Sequence, residues 1–189
     1  MFRRFLGTAS QAPAQPSTPA EPATPTSGET ATVRRIVARL EAMPPAKARL
    51  IASAAYTLAR AAHADLEISD EETAAIEREL QRDGALDEAT AVLVTEMAKL
   101  QARTVGGTED YVVTREFKAL STPEQRHDVV RACFAIAVAS GTISAEETGV
   151  LNEIAAELDI EAPALNSIRA EYHDRLSSVQ QVRRVAGKG

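Results

Sequence analysis

The chain is poor in cysteine, which cross-links small domains, and in the aromatic residues that are common in β-sheets. Its 189 residues include one cysteine, no tryptophan and only 4% aromatic residues. A single cysteine, Cys133, excludes an internal disulfide and fits a reducing compartment. Val and Ile do not alternate with polar residues, so strand patterns are nearly absent. These absences favour an all-α protein.

Long apolar runs and an excess of basic charge are missing as well. No apolar run approaches the roughly 20 residues that cross a bilayer. Lys and Arg number 21 against 27 Asp and Glu, which gives a formal charge of -6. This balance argues against nucleic acid as a partner, because phosphate backbones select basic surfaces. A hydrophobic content of 44% suits one globular domain with a core of its own.

The first residues form a short amphipathic element followed by a linker. Residues 1–7, "MFRRFLG", combine apolar and basic side chains and could contact a membrane surface or a partner groove, or could fray as an ordinary terminus. Residues 8–29 are rich in Ala, Pro and Thr, a composition that predicts a disordered linker. A helical domain is expected over 30–185. The candidate contact residues are Phe2, Arg3, Arg4, Phe5 and Leu6.

The remainder predicts a bundle of about seven or eight helices. "TVRRIVARLEAM" gives a first helix that ends at Pro44-Pro45, and an Ala-rich second helix follows. Asp87 is the expected N-cap of a later helix. Thr122, Pro123 and Gln125 form a capping box that starts an amphipathic helix, which we expect to be central. One further helix is expected from about Pro163 through Val179.

An internal repeat organises the domain. "ADLEISDEET" at 64–73 returns as "ASGTISAEET" at 139–148, with six identical residues at a constant offset. Ser69 with Glu72 and Ser144 with Glu147 both match a capping box, and acids in a first turn suit the positive end of a helix dipole. The repeat therefore predicts two halves, each with a helix, an acidic turn and a return helix.

Capping does not account for every acid in these turns. In the first turn, Asp65 and Glu67 precede the cap, and oxygen ligands of this kind suit a Ca²⁺-like divalent cation. The spacing is not that of an EF-hand. His63 at the end of the second helix suits the helix dipole better than ligation. The candidate cation ligands are Asp65, Glu67, Glu71, Glu72, Glu146 and Glu147.

At these two turns the chain resembles the TerB-like family, the tellurite-resistance helical domain also found at the N-terminus of membrane-anchored DnaJ-type co-chaperones. The family pattern is a helix, "A-D-G-x-I-s-x-x-E" and another helix, occurring twice, and the resemblance covers about residues 34–176. It implies an all-α fold with internal two-fold symmetry, an acidic metal-binding surface, and stress-response roles near membrane protein complexes. The sequence departs from the pattern at Leu66, where glycine is usual, and at Ser140, where aspartate is usual.

The chemistry-bearing residues do not assemble into a catalytic set. Cys133 lies on the apolar face of its helix, which predicts a buried free thiol. A carboxylate pair such as Glu71 and Glu146 is the remaining enzymatic alternative. We therefore expect a non-enzymatic binding module with a protein partner and no nucleic acid, cytoplasmic or at the inner face of the membrane. A cation sensor centred on the first acidic turn is the alternative.

Overall fold

The computed structural model describes residues 38, 41–64, 67–82, 86–105 and 108–186. Within these ranges the chain is helical and has no β-strand, which confirms the all-α prediction. The predicted N-terminal element and linker lie outside the described residues. In chain order the helices are α1 (Pro45–Ala62), α2 (Asp70–Gln81), α3 (Glu88–Val105), α4 (Thr108–Leu120), α5 (Pro123–Ala137), α6 (Ala145–Glu157), α7 (Ala162–Glu171) and α8 (Ser177–Ala186), with a 3-10 turn (His173–Arg175) before α8.

The predicted first helix falls mostly outside the described ranges, but its last turn is visible. The backbone N–H of Ala42 donates to the carbonyl of Ala38 over 3.0 Å, the i to i−4 bond of an α-helix. Pro44 and Pro45 then separate this turn from α1, where Pro45 occupies the first helical position.

The helix starts follow the predicted caps. The Thr122 hydroxyl accepts from the N–H of Gln125, and the Gln125 side chain accepts from the N–H of Thr122, which completes the capping box of α5. Asp87 accepts from the N–H of Thr90 over 3.0 Å and caps α3. These side chains satisfy backbone donors that the first helical turn leaves unpaired.

The central helix is α1, and the expectation that the helix after Thr122 is central was wrong. α1 packs against α2, α3, α4, α5 and α6. Its core-facing residues are mostly alanines, including Ala55, Ala59 and Ala61, none of which is exposed. Small side chains let several neighbouring helices approach one axis closely, so the Ala-rich helix takes the centre. α5 is one of its neighbours and contributes Val130, Cys133 and Phe134 to the core.

The predicted last helix is broken into two. α7 ends at Glu171, and after the 3-10 turn Leu176 is extended, with φ −69° and ψ 128°. The break accommodates a single parallel β-bridge: Ile143 donates to the carbonyl of Arg175, and Ser177 donates to the carbonyl of Ile143, both over 2.9 Å. A continuous helix cannot expose those backbone groups to a distant segment, so α8 begins anew at Ser177.

Candidate functional site

The first acidic turn is built around the start of α2. The N–H and the hydroxyl of Ser69 each donate to Oε2 of Glu72 over 2.8 Å, and the N–H of Glu72 donates to the Ser69 hydroxyl over 3.2 Å. The Thr73 hydroxyl donates to the Ser69 carbonyl over 2.9 Å. The Glu72 carboxylate is buried by this arrangement. Ser, Glu and Thr of the repeated motif therefore act together as one helix cap.

The second acidic turn repeats the capping box and the threonine bond of the first. The Ser144 N–H donates to Oε2 of Glu147 over 2.6 Å, and the Glu147 N–H donates to the Ser144 hydroxyl over 3.0 Å. The Thr148 hydroxyl donates to the Ser144 carbonyl over 2.7 Å. Glu147 is buried to the same degree as Glu72. The two turns are equivalent as helix starts, as the repeat predicts.

The turns differ in the residues that precede the cap. In the second turn Gly141 has φ +127°, a conformation that L side chains rarely adopt, and Ile143 is fully buried at the β-bridge. In the first turn Ile68 is only half-buried. The second turn is thus tied to the C-terminal segment. Within the described residues, Ile68 of the first turn forms no such bridge.

The predicted cation ligands are not equivalent once placed in the fold. Glu72 and Glu147 hold helix caps, whereas Glu67, Glu71 and Glu146 are exposed. Asp65 lies outside the described residues, as do the candidate contact residues Phe2, Arg3, Arg4, Phe5 and Leu6. Among the described side chains, no group of three or more His, Cys, Asp and Glu is arranged to hold a metal ion. A cation site at the first turn would therefore depend on Asp65.

His63 occupies the C-cap of α1, where its backbone N–H donates to the Ala59 carbonyl over 2.9 Å. Its ring is partly buried, and its Nδ1 atom is shielded from water without a hydrogen-bond partner among the described residues. The position is the one expected for a residue at the negative end of a helix dipole.

A charged network that the sequence did not predict is centred on the last turn of α1. Arg60 is 8% exposed and projects from the last turn of α1. Its Nη1 and Nη2 atoms donate to the two carboxylate oxygens of Glu157 over 2.7 and 3.2 Å. Nη2 also donates to Glu153 over 3.2 Å, and Nη1 to the Thr114 hydroxyl over 3.2 Å. One guanidinium thus joins α1 to α4 and α6.

Asp110 extends the network along α4. Its Oδ2 atom lies 3.8 Å from Nε of Arg60, and its Oδ1 accepts from the Tyr56 hydroxyl over 2.7 Å. Burial by itself would lower the pKa of Arg60. The hydrogen bond and charge of Glu157, with the charges of Asp110 and Glu153, outweigh burial and raise the pKa of Arg60 above its ordinary value. The guanidinium is held as a permanent cation between helices.

The sequence does carry a signal for Arg60. It is the one charged residue in the segment "SAAYTLARAA" at 53–62, which is otherwise small or apolar. A lone charge inside a stretch destined for the core must find partners, because an unpaired buried charge is expensive. The partners themselves lie 50 to 97 positions further along, so residue spacing could not identify them.

Cys133 is buried and free, as predicted. Burial raises the pKa of its thiol from 9.0 to about 12, with a smaller contribution from the charge of Glu79 and an opposing one from Arg60. The thiolate is the reactive form of cysteine, so this group is a poor nucleophile near neutral pH.

Taken together, the fold and the two equivalent caps define a class: an all-helical module with a duplicated helix–turn–helix unit around an Ala-rich central helix. A scan against protein-family models matches residues 50–170 to the family described as Tellurite resistance protein TerB. The match covers more than half of the chain, and the chain belongs to this family. Neither a search of curated proteins nor a search of solved structures found a match.

None of the helices in the described part of the chain is long and apolar enough to cross a membrane.

Proposed function

We propose that the chain is a non-enzymatic protein-binding module of the TerB family that acts in a tellurite-resistance-associated stress response. In this proposal it joins a membrane protein complex from the cytoplasmic side. The family match supports the tellurite-resistance context. The non-enzymatic part draws on the inert, buried thiol of Cys133 and on the structural use of Arg60, Glu72 and Glu147.

The observation that carries the binding role is an apolar ridge on α8, formed by Val182 and Val185. The two side chains are 68% and 77% exposed and lie one helical turn apart. α8 packs mainly against the adjacent 3-10 turn and buries none of its residues. Val179, earlier on this side of the helix, packs at the edge of the core. An amphipathic helix with a bare apolar stripe is a common element of helix-in-groove recognition.

The charge around the ridge favours a protein partner with an acidic rim. Arg184 is exposed beside the ridge, and its neighbour Arg183 pairs with Asp174 of the preceding 3-10 turn over 2.6 Å. Basic side chains next to an apolar stripe complement acidic groups that border an apolar groove.

The N-terminal element supplies a second contact in this proposal. Phe2, Phe5 and Leu6 would enter a membrane surface or an apolar groove of the same complex, while Arg3 and Arg4 would meet anionic groups. So short a segment binds a membrane only marginally on its own, so the α8 ridge would provide specificity and the element would add avidity.

Co-purification with quantitative mass spectrometry tests the role of the ridge. The full chain is compared with a Val182→Ser, Val185→Ser variant, and with Val112→Ser as a matched control. Val112 is 53% exposed on α4, away from the ridge. We expect the ridge variant to lose the specific partner and the control to retain it, because exposed substitutions of this kind leave folding stability nearly unchanged.

A chain with Phe2→Ser and Phe5→Ser tests the N-terminal contact separately. We expect it to reduce membrane-fraction recovery of the complex while the purified chain keeps its helical circular dichroism. Equal recovery of the same partners by the wild-type chain and the ridge variant would refute the binding proposal.

The cation sensor remains the alternative prediction. Its support is the pair of acids before the cap, Asp65 and Glu67, together with the exposure of Glu67 and Glu71. Calorimetric titration with calcium tests it, with Glu67→Gln, Glu71→Gln as the variant and Glu124→Gln as an exposed control on α5. Heat that disappears only in the first variant would favour the sensor over the binding module.

A further inference from the structure

Helix α3 presents small side chains to the core and large apolar side chains to the surface. A surface helix usually has the opposite arrangement, with its large apolar residues facing inwards. On the outer face of α3, Met97 is 57% and Leu100 is 64% exposed. This face therefore has the character of a contact surface. The inner face, which is buried, consists of Ala91, Thr95, Ala98 and Ala102.

The outer apolar residues form one continuous row along the helix, which we call the α3 stripe. Leu93, Met97 and Leu100 follow one another at intervals of four and three, and Thr104 takes the next position of the series. This spacing is that of the seam between two helices packed side by side. Leu93 is half-buried and Thr104 is exposed. The α3 stripe thus fits a second helix, and its length fits one that runs along the same axis.

Two exposed charges of opposite sign flank the α3 stripe on the same side. Glu96 directly precedes Met97 and Arg103 directly precedes Thr104, which are the positions that form charge pairs between neighbouring helices. Within the chain, Glu96 pairs with Lys99 over 2.8 Å. Glu96 and Arg103 lie two helical turns apart, about 10 Å along the axis, so they do not pair with each other inside one helix.

A second copy of α3, running in the opposite direction, complements both the stripe and its charges. A two-fold axis that places Met97 of one copy against Leu100 of the other also places each Glu96 beside the Arg103 of the other copy. The two contacts are equivalent by symmetry, so one register satisfies both. A parallel pair of the same helices would instead place Glu96 beside Gln101, which carries no charge. The charges therefore favour the antiparallel pair.

We propose that the chain forms a two-fold homodimer through the α3 stripe, with the two α3 helices antiparallel and Glu96 of each copy paired with Arg103 of the other. The inference goes beyond the proposed function, because it uses neither the α8 ridge nor the N-terminal element. One pair of helices buries less than the roughly 1,600 Å² of a standard stable interface, so the dimer is weak and reversible. Its formation covers Met97 and Leu100.

Charge reversal in the full-length chain tests the pairing across the two-fold axis. In a Glu96→Arg dimer both contacts bring two arginines together, and in an Arg103→Glu dimer both bring two carboxylates together. In an equimolar mixture of the two variants, a mixed dimer has opposite charges at both contacts. By sedimentation velocity up to about 1 mM, we expect each variant alone to associate at least about tenfold more weakly than the wild-type chain, and the mixture to associate as tightly as the wild type.

Leu100→Ser tests the apolar part of the contact, with Val112→Ser, 53% exposed on α4, as the matched control. We expect Leu100→Ser to weaken association at least about tenfold and the control to leave it unchanged. Restored association in the mixture shows that the charge variants are folded, and helical circular dichroism checks each chain separately.

Three results would overturn the proposal. The first is a wild-type chain that stays monomeric throughout the concentration range. The second is association that the charge reversals leave unchanged, or that mixing folded variants does not restore. The third is association that only Val182→Ser, Val185→Ser abolishes, which would assign the dimer to the α8 ridge.

Discussion

Arg60 shows how one buried charge organises three helices. It is held between Glu157, Glu153 and Asp110, and of these Glu157 makes a two-point contact. Two-point guanidinium–carboxylate pairs are directional as well as attractive, so the network fixes the rotation of α4 and α6 around α1. The net stabilisation by such a network is small compared with the penalty for removing one partner.

Arg60→Met tests that asymmetry. The variant leaves Glu157 partly buried beside Asp110 without a cation, and we expect it to lower the free energy of unfolding by about 3 kcal/mol. Arg131→Met is the matched control, because Arg131 is exposed and pairs with Asp128 and Glu171 at 3.6 and 3.5 Å. The control should lose less than about 1 kcal/mol. Urea unfolding measures both, and equal losses would show that the buried network has no special role.

The Cys133 thiol predicts a specific pH dependence. Its pKa is 9.0 in an unfolded chain and about 12 in the fold. Below pH 9 both states keep the proton, and the contribution to stability is fully present. Above pH 9 the unfolded chain loses the proton while the fold retains it, so stability falls as pH rises towards 12, by at most about 1.4 kcal/mol per pH unit.

Cys133→Ala isolates this contribution from the other groups that titrate in the same range. Urea unfolding at pH 8, 9 and 10 under reducing conditions should show the wild-type chain losing stability faster than the variant above pH 9. Parallel pH profiles for the two proteins would mean that the thiol ionises equally easily in both states.

At the scale of elements, helix starts could be predicted from the sequence and helix interruptions could not. The helix starts at Ser69, Thr122 and Ser144 can be predicted from the local sequence, because a capping box involves residues only three positions apart. The break before α8 depends on a β-bridge between Ile143 and Leu176, 33 residues away. Nothing local to "YHDRLSS" requires an extended residue there. The hydrophobic periodicity of the sequence therefore predicts one continuous helix across this segment.

The choice of central helix shows a second limit of periodicity. α5 has a hydrophobic face of large side chains, which gives a strong periodic signal in the sequence. The buried face of α1 consists mostly of alanines, which contribute little to such a signal. Position in the bundle depends on how many neighbours can approach, and small side chains favour that. The Ala-rich character of α1 could predict close packing, but the identity of its five neighbouring helices requires the fold.

At the scale of the whole molecule, the two copies of the repeat share one role and differ in one contact. Both acidic turns start a return helix with the same set of hydrogen bonds. In the part of the chain that the structure describes, the second turn alone is tied to the C-terminal segment, through Ile143 and Leu176. The motif "ISxEET" is therefore explained in both copies by helix initiation, apart from Glu71 and Glu146, which are exposed.

The central claim is that the repeated acidic motif acts as a helix cap in both halves. Unfolding free energies of Ser69→Ala and Ser144→Ala, with Glu72→Gln and Glu147→Gln as matched variants, test it most directly. The account predicts a loss of about 1 kcal/mol for each serine variant, and a much smaller loss for each glutamine variant, because an amide oxygen still accepts the cap bond. Unchanged stability in both serine variants, with a large loss in the glutamine variants that calcium accentuates, would contradict it.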